Sequence, residues 1–173
     1  MPLSSGTMAV PGPTAGAKDS IAAAMAGAKF DAVASDQIVL DMWEKWVFLA
    51  ALAGITCLTR SAVGDVVAAG GADLAASLLE ECRSIAVAAG YPPRPKSLQA
   101  ALGRLTDPGS VMMASMLGDV ERRGRTEADH ILGDLLRRRG GTADGDRSLI
   151  RMAYVAVKAA EARAAREMRA EGA

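Results

Sequence analysis

An uncharged and largely apolar stretch of fourteen residues lies inside a helical pattern. Residues 46–59 read WVFLAALAGITCLT and contain no charged side chain. Apolar side chains would cover most faces of a helix formed here, which is typical of a helix buried among others. The pattern predicts a central buried helix over residues 37–58. The uncharged run is too short to cross a bilayer, which takes about 20 residues.

Shorter helical patterns surround this segment and are separated by strong turn signals. Leu74, Leu78 and Ile85 form one face of the clearest amphipathic pattern, and Gly90 ends it because glycine readily adopts the left-handed backbone of a helix terminus. No helix passes through the proline-rich YPPRP turn at 91–95. The further helices are predicted at 61–69, 73–89, 96–105, 111–122, 126–139 and 146–169.

The pattern as a whole predicts an all-α fold of six or seven helices around the central one. No strand alternates with these helices, and the sequence contains no GxGxxG. It therefore lacks the glycine-rich strand–helix turn that holds a dinucleotide, and we expect no cofactor to be bound by this chain alone. A prediction of domain organisation follows: a disordered tail over 1–18, a connector over 19–36 and a helical domain over 37–173.

Charge and composition narrow the classes of function. Twenty Lys and Arg balance twenty Asp and Glu, so the overall charge favours neither nucleic acid nor an anionic membrane as a partner. His130 is the only histidine, which excludes a His-based triad or a multi-histidine metal site within one chain. Cys57 and Cys82 fall in apolar helical patterns and are expected to be buried free thiols. Because the N-terminus lacks the features of a signal peptide, a cytoplasmic location is expected.

Three motifs occur in order along the chain, and together they resemble the C-terminal domain of the ketopantoate reductase (2-dehydropantoate 2-reductase) family. They are W-x-K at 43–45, E-x-x-x-I-A-x-A-x-G at 81–90, and S-M-x-x-D followed by R-T-E-x-D at 115–129. The likeness covers roughly residues 20–168. It implies the all-helical fold that this family shares with 6-phosphogluconate dehydrogenase-type enzymes.

The resemblance implies roles for four side chains. Lys45 would be the general acid that protonates the carbonyl oxygen of a 2-oxo acid, and Glu127 would lie near it and hold its position and charge. Ser115 and Asp119 would bind the substrate. Hydride addition to a ketone builds negative charge on oxygen, and a proton donor within hydrogen-bond reach stabilises that charge.

The sequence departs from the family in two respects. The asparagines that the family carries one and two turns after the lysine are replaced by Leu49 and Ala53, which puts ketopantoate itself in doubt and favours a larger or more apolar 2-oxo acid. We expect this chain to lack the NADP-binding Rossmann domain that the family places first, because the 36 residues before the central helix are too few for it. NADP is therefore expected only with a partner Rossmann domain, for example on a separate NADP-binding chain.

Simpler interpretations compete with this one. Lys45 lies one turn after Asp41, and such a pair at an exposed helix end is a common surface arrangement. A domain derived from this family that has lost its activity would serve as a dimerisation or interaction module, and Leu49 and Ala53 favour that alternative. Apolar surface uncovered by the missing domain would drive association, so a homodimer is expected in either case.

Overall fold

The predicted all-helical fold is confirmed in the computed structural model. The model describes residues 35–139 and 148–172 together with Gly16, Ser20, Ala23 and Ala24. All regular secondary structure in these residues is helical. The tail expected over 1–18 and the connector expected over 19–36 lie almost entirely outside the described residues.

Seven α-helices and one π-helical turn lie in the described ranges 35–139 and 148–172. The α-helices are α1 (Ile38–Thr59), α2 (Val63–Ala68), α3 (Ala72–Ala88), α4 (Pro95–Leu105), α5 (Ser115–Glu121), α6 (Asp134–Arg138) and α7 (Leu149–Glu171). The π-helical turn, Asp129–Gly133, runs directly into α6. The chain divides into two units, Met1–Ile38 and Val39–Ala173, and every predicted site residue belongs to the second.

Helix α1 is the central helix that the sequence predicts. Its residues 50–57 are buried without interruption, because small side chains allow the neighbouring helices to approach closely. A Cβ atom placed on Gly54 would lie 2.5 Å from Cδ2 of Leu78, so α3 packs directly on this glycine. The buried hydroxyl of Thr56 donates to the carbonyl of Leu52 at 2.7 Å, which satisfies the one polar side chain in this stretch.

The two cysteines are buried free thiols, as the sequence predicts. Burial raises the pKa of Cys57 to about 11, and it raises the pKa of the fully buried Cys82 further. Thiols with a raised pKa carry little thiolate at neutral pH and react slowly. Both side chains therefore contribute packing to the core.

The helix predicted at 111–122 begins four residues later than expected, at Ser115. Residues before it are extended, and their carbonyls accept hydrogen bonds from the start of α2: Val63 N donates to Met112 O at 3.0 Å and Gly64 N to Ser110 O at 2.8 Å. The first N–H groups of a helix have no partner within the helix. The loop supplies those partners for α2, and this pairing keeps it extended.

Helix α7 also begins later than the predicted residue 146. It begins at Leu149, and Ser148 is its N-cap, whose hydroxyl accepts a hydrogen bond from Arg151 N at 3.3 Å. Glu81, the first residue of the second motif, accepts from the backbone N–H groups of Leu149 and Ile150 at 2.9 and 3.1 Å. The motif carboxylate therefore caps a helix that lies 68 residues away in sequence.

Candidate active site

Lys45 lies on the exposed face of the first half of α1. Val39, Met42 and Leu49 follow the same face at helical spacing and are also exposed. Among the described residues, the Lys45 ammonium makes no ion pair or hydrogen bond. The structure therefore presents a lysine with an available amine on a rigid helix, surrounded by apolar surface.

The turn of α1 that carries Lys45 is fixed by Arg94, which belongs to the proline-rich turn before α4. Glu44 accepts hydrogen bonds from the backbone N of Arg94 at 2.7 Å and from its Nε at 2.8 Å. The guanidinium also binds Asp41. The alternative in which Asp41 pairs with Lys45 is not the arrangement observed, because Asp41 faces Arg94 instead.

The contacts of Arg94 with Glu44 and Asp41, called the Arg94 clamp below, change the pKa of Glu44. Hydrogen bonds from the Arg94 guanidinium hold the pKa of Glu44 below its usual 4.5, although burial opposes the shift. The Glu44 side chain is only 8% exposed, so its charge depends on this one partner. A carboxyl with a lowered folded-state pKa stabilises the fold above its unfolded-state pKa, and that contribution is lost as the pH falls through the folded-state pKa.

We expect Glu44→Gln to lower the free energy of unfolding at neutral pH and to have a smaller effect in acid. Urea unfolding at about pH 6 and at about pH 3 measures both values, since the window brackets the unfolded-state pKa. Glu121→Gln is the matched control, because Glu121 is exposed and makes no ion pair with a described residue. An effect of Glu44→Gln that is equal at both pH values would contradict the role of the clamp.

An aromatic cluster packs beneath the clamp. The ring centroids of Trp43 and Trp46 are 4.9 Å apart, and Tyr91 stacks on Trp43 at 5.4 Å. The Arg138 guanidinium lies over both indoles at 5.3 and 5.4 Å. The two tryptophans are thus packing residues, as the sequence indicates. They pack the first half of α1 against the end of α6.

Trp46 connects the Lys45 turn with the segment that follows Glu127. Its indole Nε1 donates to the carbonyl of Ile131 at 2.9 Å, inside the π-helical turn. Lys45 directly precedes Trp46, and Glu127 lies four residues before Ile131, so the fold brings the two predicted catalytic segments together. The Glu127 carboxylate nevertheless makes no ion pair with Lys45 or with any other described residue.

Helix α7 holds the loop that carries Glu127. Glu161 accepts from Thr126 N at 3.0 Å and from its hydroxyl at 2.6 Å. Asp129 accepts from the hydroxyl of Tyr154 at 2.8 Å and from Lys158 at 2.9 Å. These bonds hold the pKa of Asp129 below its usual value. Burial alone would raise the pKa of Glu161, but its hydrogen bonds from Lys158 and Thr126 outweigh burial and lower it.

A cavity of about 690 Å³ opens beside this loop. Glu127 and Arg125 line it from the loop, His130 from the π-helical turn, and Lys158 from α7. Glu127 is exposed and faces water there. The carboxylate is thus accessible to a ligand or to an approaching domain.

Ser115 and Asp119 lie towards the other end of α1. Ser115 is exposed at the first turn of α5, and the preceding Ala114 N donates to the Thr56 hydroxyl at 3.4 Å. Asp119 accepts from Arg122, the residue that follows α5, at 2.8 Å. Since Thr56 is eleven residues after Lys45, roughly 16 Å of helix separates the two ends. The four predicted residues therefore form two groups, Lys45 with the Glu127 segment and Ser115 with Asp119.

The two positions that depart from the family lie between these groups. Leu49 is 36% exposed and Ala53 is 2% exposed. A leucine there offers apolar surface, and the buried alanine offers a ligand nothing polar. The middle of the candidate site is consequently less polar than an asparagine pair would make it.

Sequence reasoning did not identify Arg94 or Glu161, although each fixes a predicted catalytic segment. Only the i, i+3 spacing of Lys158 and Glu161 indicates an ion pair, and nothing local indicates that Thr126 donates to Glu161.

No cluster of three or more potential metal ligands occurs in the described part of the chain. None of the helices in that part has the length and apolar character needed to span a membrane.

The fold and the order of the motifs define the helical domain of a ketopantoate reductase-like oxidoreductase. Residues 37–161 match the family described as "Ketopantoate reductase PanE/ApbA C terminal". This chain belongs to that family.

One relative and two solved structures are similar to this chain. The chain is 33% identical over 114 residues to a Bacillus subtilis (strain 168) protein called "Uncharacterized oxidoreductase YkpB", a match that covers 65% of this chain and 38% of the relative. It shares its fold with 2-dehydropantoate 2-reductase from Methylococcus capsulatus (TM-score 0.70, 24% identity, 86% of this chain and 51% of that one). A PanE/ApbA family ketopantoate reductase from Ralstonia eutropha JMP134 is similar (TM-score 0.71, 23% identity, 84% and 49%). The chain thus spans about half the length of these solved relatives.

Proposed function

We propose that this domain is the substrate-side half of an NADPH-dependent 2-oxo acid reductase in which Lys45 is the proton donor. The observation that carries the proposal is the placement of Lys45: an exposed amine on a helix fixed by the Arg94 clamp and joined by Trp46 to the Glu127 segment. Preorganised groups of this kind cost little reorganisation when charge develops in the reaction.

The chemistry assigned to this chain is acid catalysis. NADPH, held by an NADP-binding domain on the same or another polypeptide, supplies hydride to the carbonyl carbon at C2 of the substrate. As the C=O π electrons move onto oxygen, the Lys45 ammonium gives that oxygen a proton, and the product is a 2-hydroxy acid. Water then reprotonates the lysine. The resemblance to the family gives Glu127 the role of holding the amine in position.

The substrate side of the site favours an acid with an apolar side chain. Ser115 offers a hydroxyl at the first turn of α5 for a polar group of the substrate remote from its 2-oxo carboxylate, and Asp119 follows it one turn later. Leu49 lies on α1 between Lys45 and Thr56, the residue that contacts the start of α5, and it offers apolar surface. A polar pocket rejects substrates that leave its groups unpaired, and an apolar one gains from apolar substrate atoms.

A non-catalytic interaction module is the second candidate. The exposed apolar side chains of Val39, Met42 and Leu49 on α1 favour it, because contiguous apolar surface marks interaction sites. In this alternative the same face binds a second copy of the chain. In the catalytic proposal the NADP-binding domain covers this face instead.

Binding of NADPH tests the proposal. We expect no fluorescence change when NADPH is titrated into this chain alone, since the described residues form no glycine-rich strand–helix turn. We expect micromolar binding by the complete assembly, meaning this chain together with its NADP-binding domain on one polypeptide or two. Micromolar affinity of the isolated chain would contradict the proposal.

A further inference from the structure

The loop that carries Glu127 has no regular structure of its own. It follows Arg123, whose φ of +57° is in the left-handed region that non-glycine residues seldom adopt, and it ends at the π-helical turn. Without external contacts, such a segment samples many backbone states. A side chain at Glu127 can be placed reproducibly only if another element holds the loop.

Glu161 of α7 supplies that contact on the N-terminal side of Glu127. One of its oxygens accepts from both the backbone N and the hydroxyl of Thr126. The same hydroxyl accepts from Ala128 N at 3.2 Å. The residues before and after Glu127 are therefore fixed to each other and to α7 through a single carboxylate.

Lys158 extends the contact to the C-terminal side. It binds the second oxygen of Glu161 at 2.6 Å and the Asp129 carboxylate at 2.9 Å. Tyr154 donates to the other oxygen of Asp129. Tyr154, Lys158 and Glu161 follow one another at intervals of four and three residues, which places them on one face of α7. This face brackets Glu127 at the preceding residue and at the second residue after it.

We propose that Glu161 is a positioning residue that sets the place of the Glu127 carboxylate relative to Lys45. Glu161 is largely shielded from water, with 21% of its side chain exposed, and its two oxygens bind Thr126 and Lys158. The Glu127 carboxylate has no hydrogen bond of its own to a described residue, so its place depends on the backbone that Glu161 holds. The proposal rests on the proposed function, because it assigns Glu161 a part in the same reaction.

The test compares Glu161→Leu, which removes both acceptors, with Glu161→Gln, which keeps one acceptor for Thr126. Glu80→Gln is the control, since Glu80 is a paired carboxylate on α3 far from the loop in sequence. The first readout is hydrogen exchange of the Thr126 and Ala128 amides, with the amides of α3 as reference. We expect faster exchange at both amides in Glu161→Leu only.

The second readout is steady-state turnover of a 2-oxo acid by the complete assembly. A loosened catalytic segment should lower kcat by about 10–100-fold, since small misplacements are that costly, and should change KM for the 2-oxo acid little. Glu161→Gln should recover most of kcat. A merely structural role would give faster exchange with unchanged kcat, and that result would overturn the proposal, as would unchanged exchange in Glu161→Leu.

These two readouts separate the positioning role from the proposed function. A wild-type assembly that reduces no 2-oxo acid would overturn the proposed function. In that case faster exchange in Glu161→Leu would still support the anchoring of the Glu127 loop by Glu161, and unchanged exchange would overturn it.

Discussion

Replacing Lys45 by methionine is expected to lower turnover of the complete assembly by about 10²–10⁴-fold, the usual contribution of a positioned general acid. Methionine keeps the unbranched stem and removes the ammonium, so packing on α1 is retained. Lys45→Arg should be nearly as inactive, because a guanidinium keeps its proton at any working pH. The measurement is the rate of NADPH consumption with a saturating 2-oxo acid.

Lys96→Met is the matched control for this experiment. Lys96 is exposed at the start of α4 and makes no ion pair with a described residue. Its loss should leave the rate of NADPH consumption unchanged. If Lys45→Met kept most of the wild-type rate, Lys45 would not be the proton donor, and the non-catalytic interaction module would gain support.

Replacing Gly64 by alanine is expected to destabilise the domain by about 1–3 kcal/mol, the usual cost of overpacking. A Cβ at this position would lie 2.6 Å from the backbone oxygen of Ser110 and 2.8 Å from that of Pro108. Backbone atoms cannot rotate away as a side chain does, so the loop leading to Ser115 must shift. The hydrogen bond from Gly64 N to Ser110 O would be strained by the same movement.

Replacing Gly103 by alanine is expected to increase the stability of the same domain. A Cβ at Gly103 meets nothing within 4 Å, and the residue lies inside α4, where alanine is favoured over glycine by about 0.5–1 kcal/mol. Urea unfolding should therefore show a loss of stability for Gly64→Ala and a gain for Gly103→Ala. Equal effects of the two substitutions would contradict the close approach at Gly64.

The sequence was sufficient to predict the parts of the fold that depend on local pattern. The uncharged run after Lys45 predicted a buried central helix, and α1 confirms it within one residue at each end. Gly90 predicted the end of α3 and has a φ of +86°. Hydrophobic periodicity and glycine backbone preferences act over a few residues, so both are visible without the fold.

Features that depend on distant partners were not predictable. The extended stretch before Ser115 was expected to be helical, and only its pairing with α2 explains its conformation. The clamp on Glu44 joins residues 50 apart, and the anchor of Thr126 joins residues 35 apart. Single-sequence patterns contain no signal for such pairs. The resemblance to the family implies roles for Lys45 and Glu127, but it does not indicate the residues that fix them.

The central claim is that this domain contributes the proton donor for hydride reduction of a 2-oxo acid. Its most direct measurement supplies the complete assembly with NADPH deuterated at both C4 positions and analyses the product by mass spectrometry. We predict a 2-hydroxy acid with one deuterium at C2, formed by wild type and lost in Lys45→Met. Absence of any labelled 2-hydroxy acid from a panel of 2-oxo acids, or equal labelling by Lys45→Met, would contradict the claim.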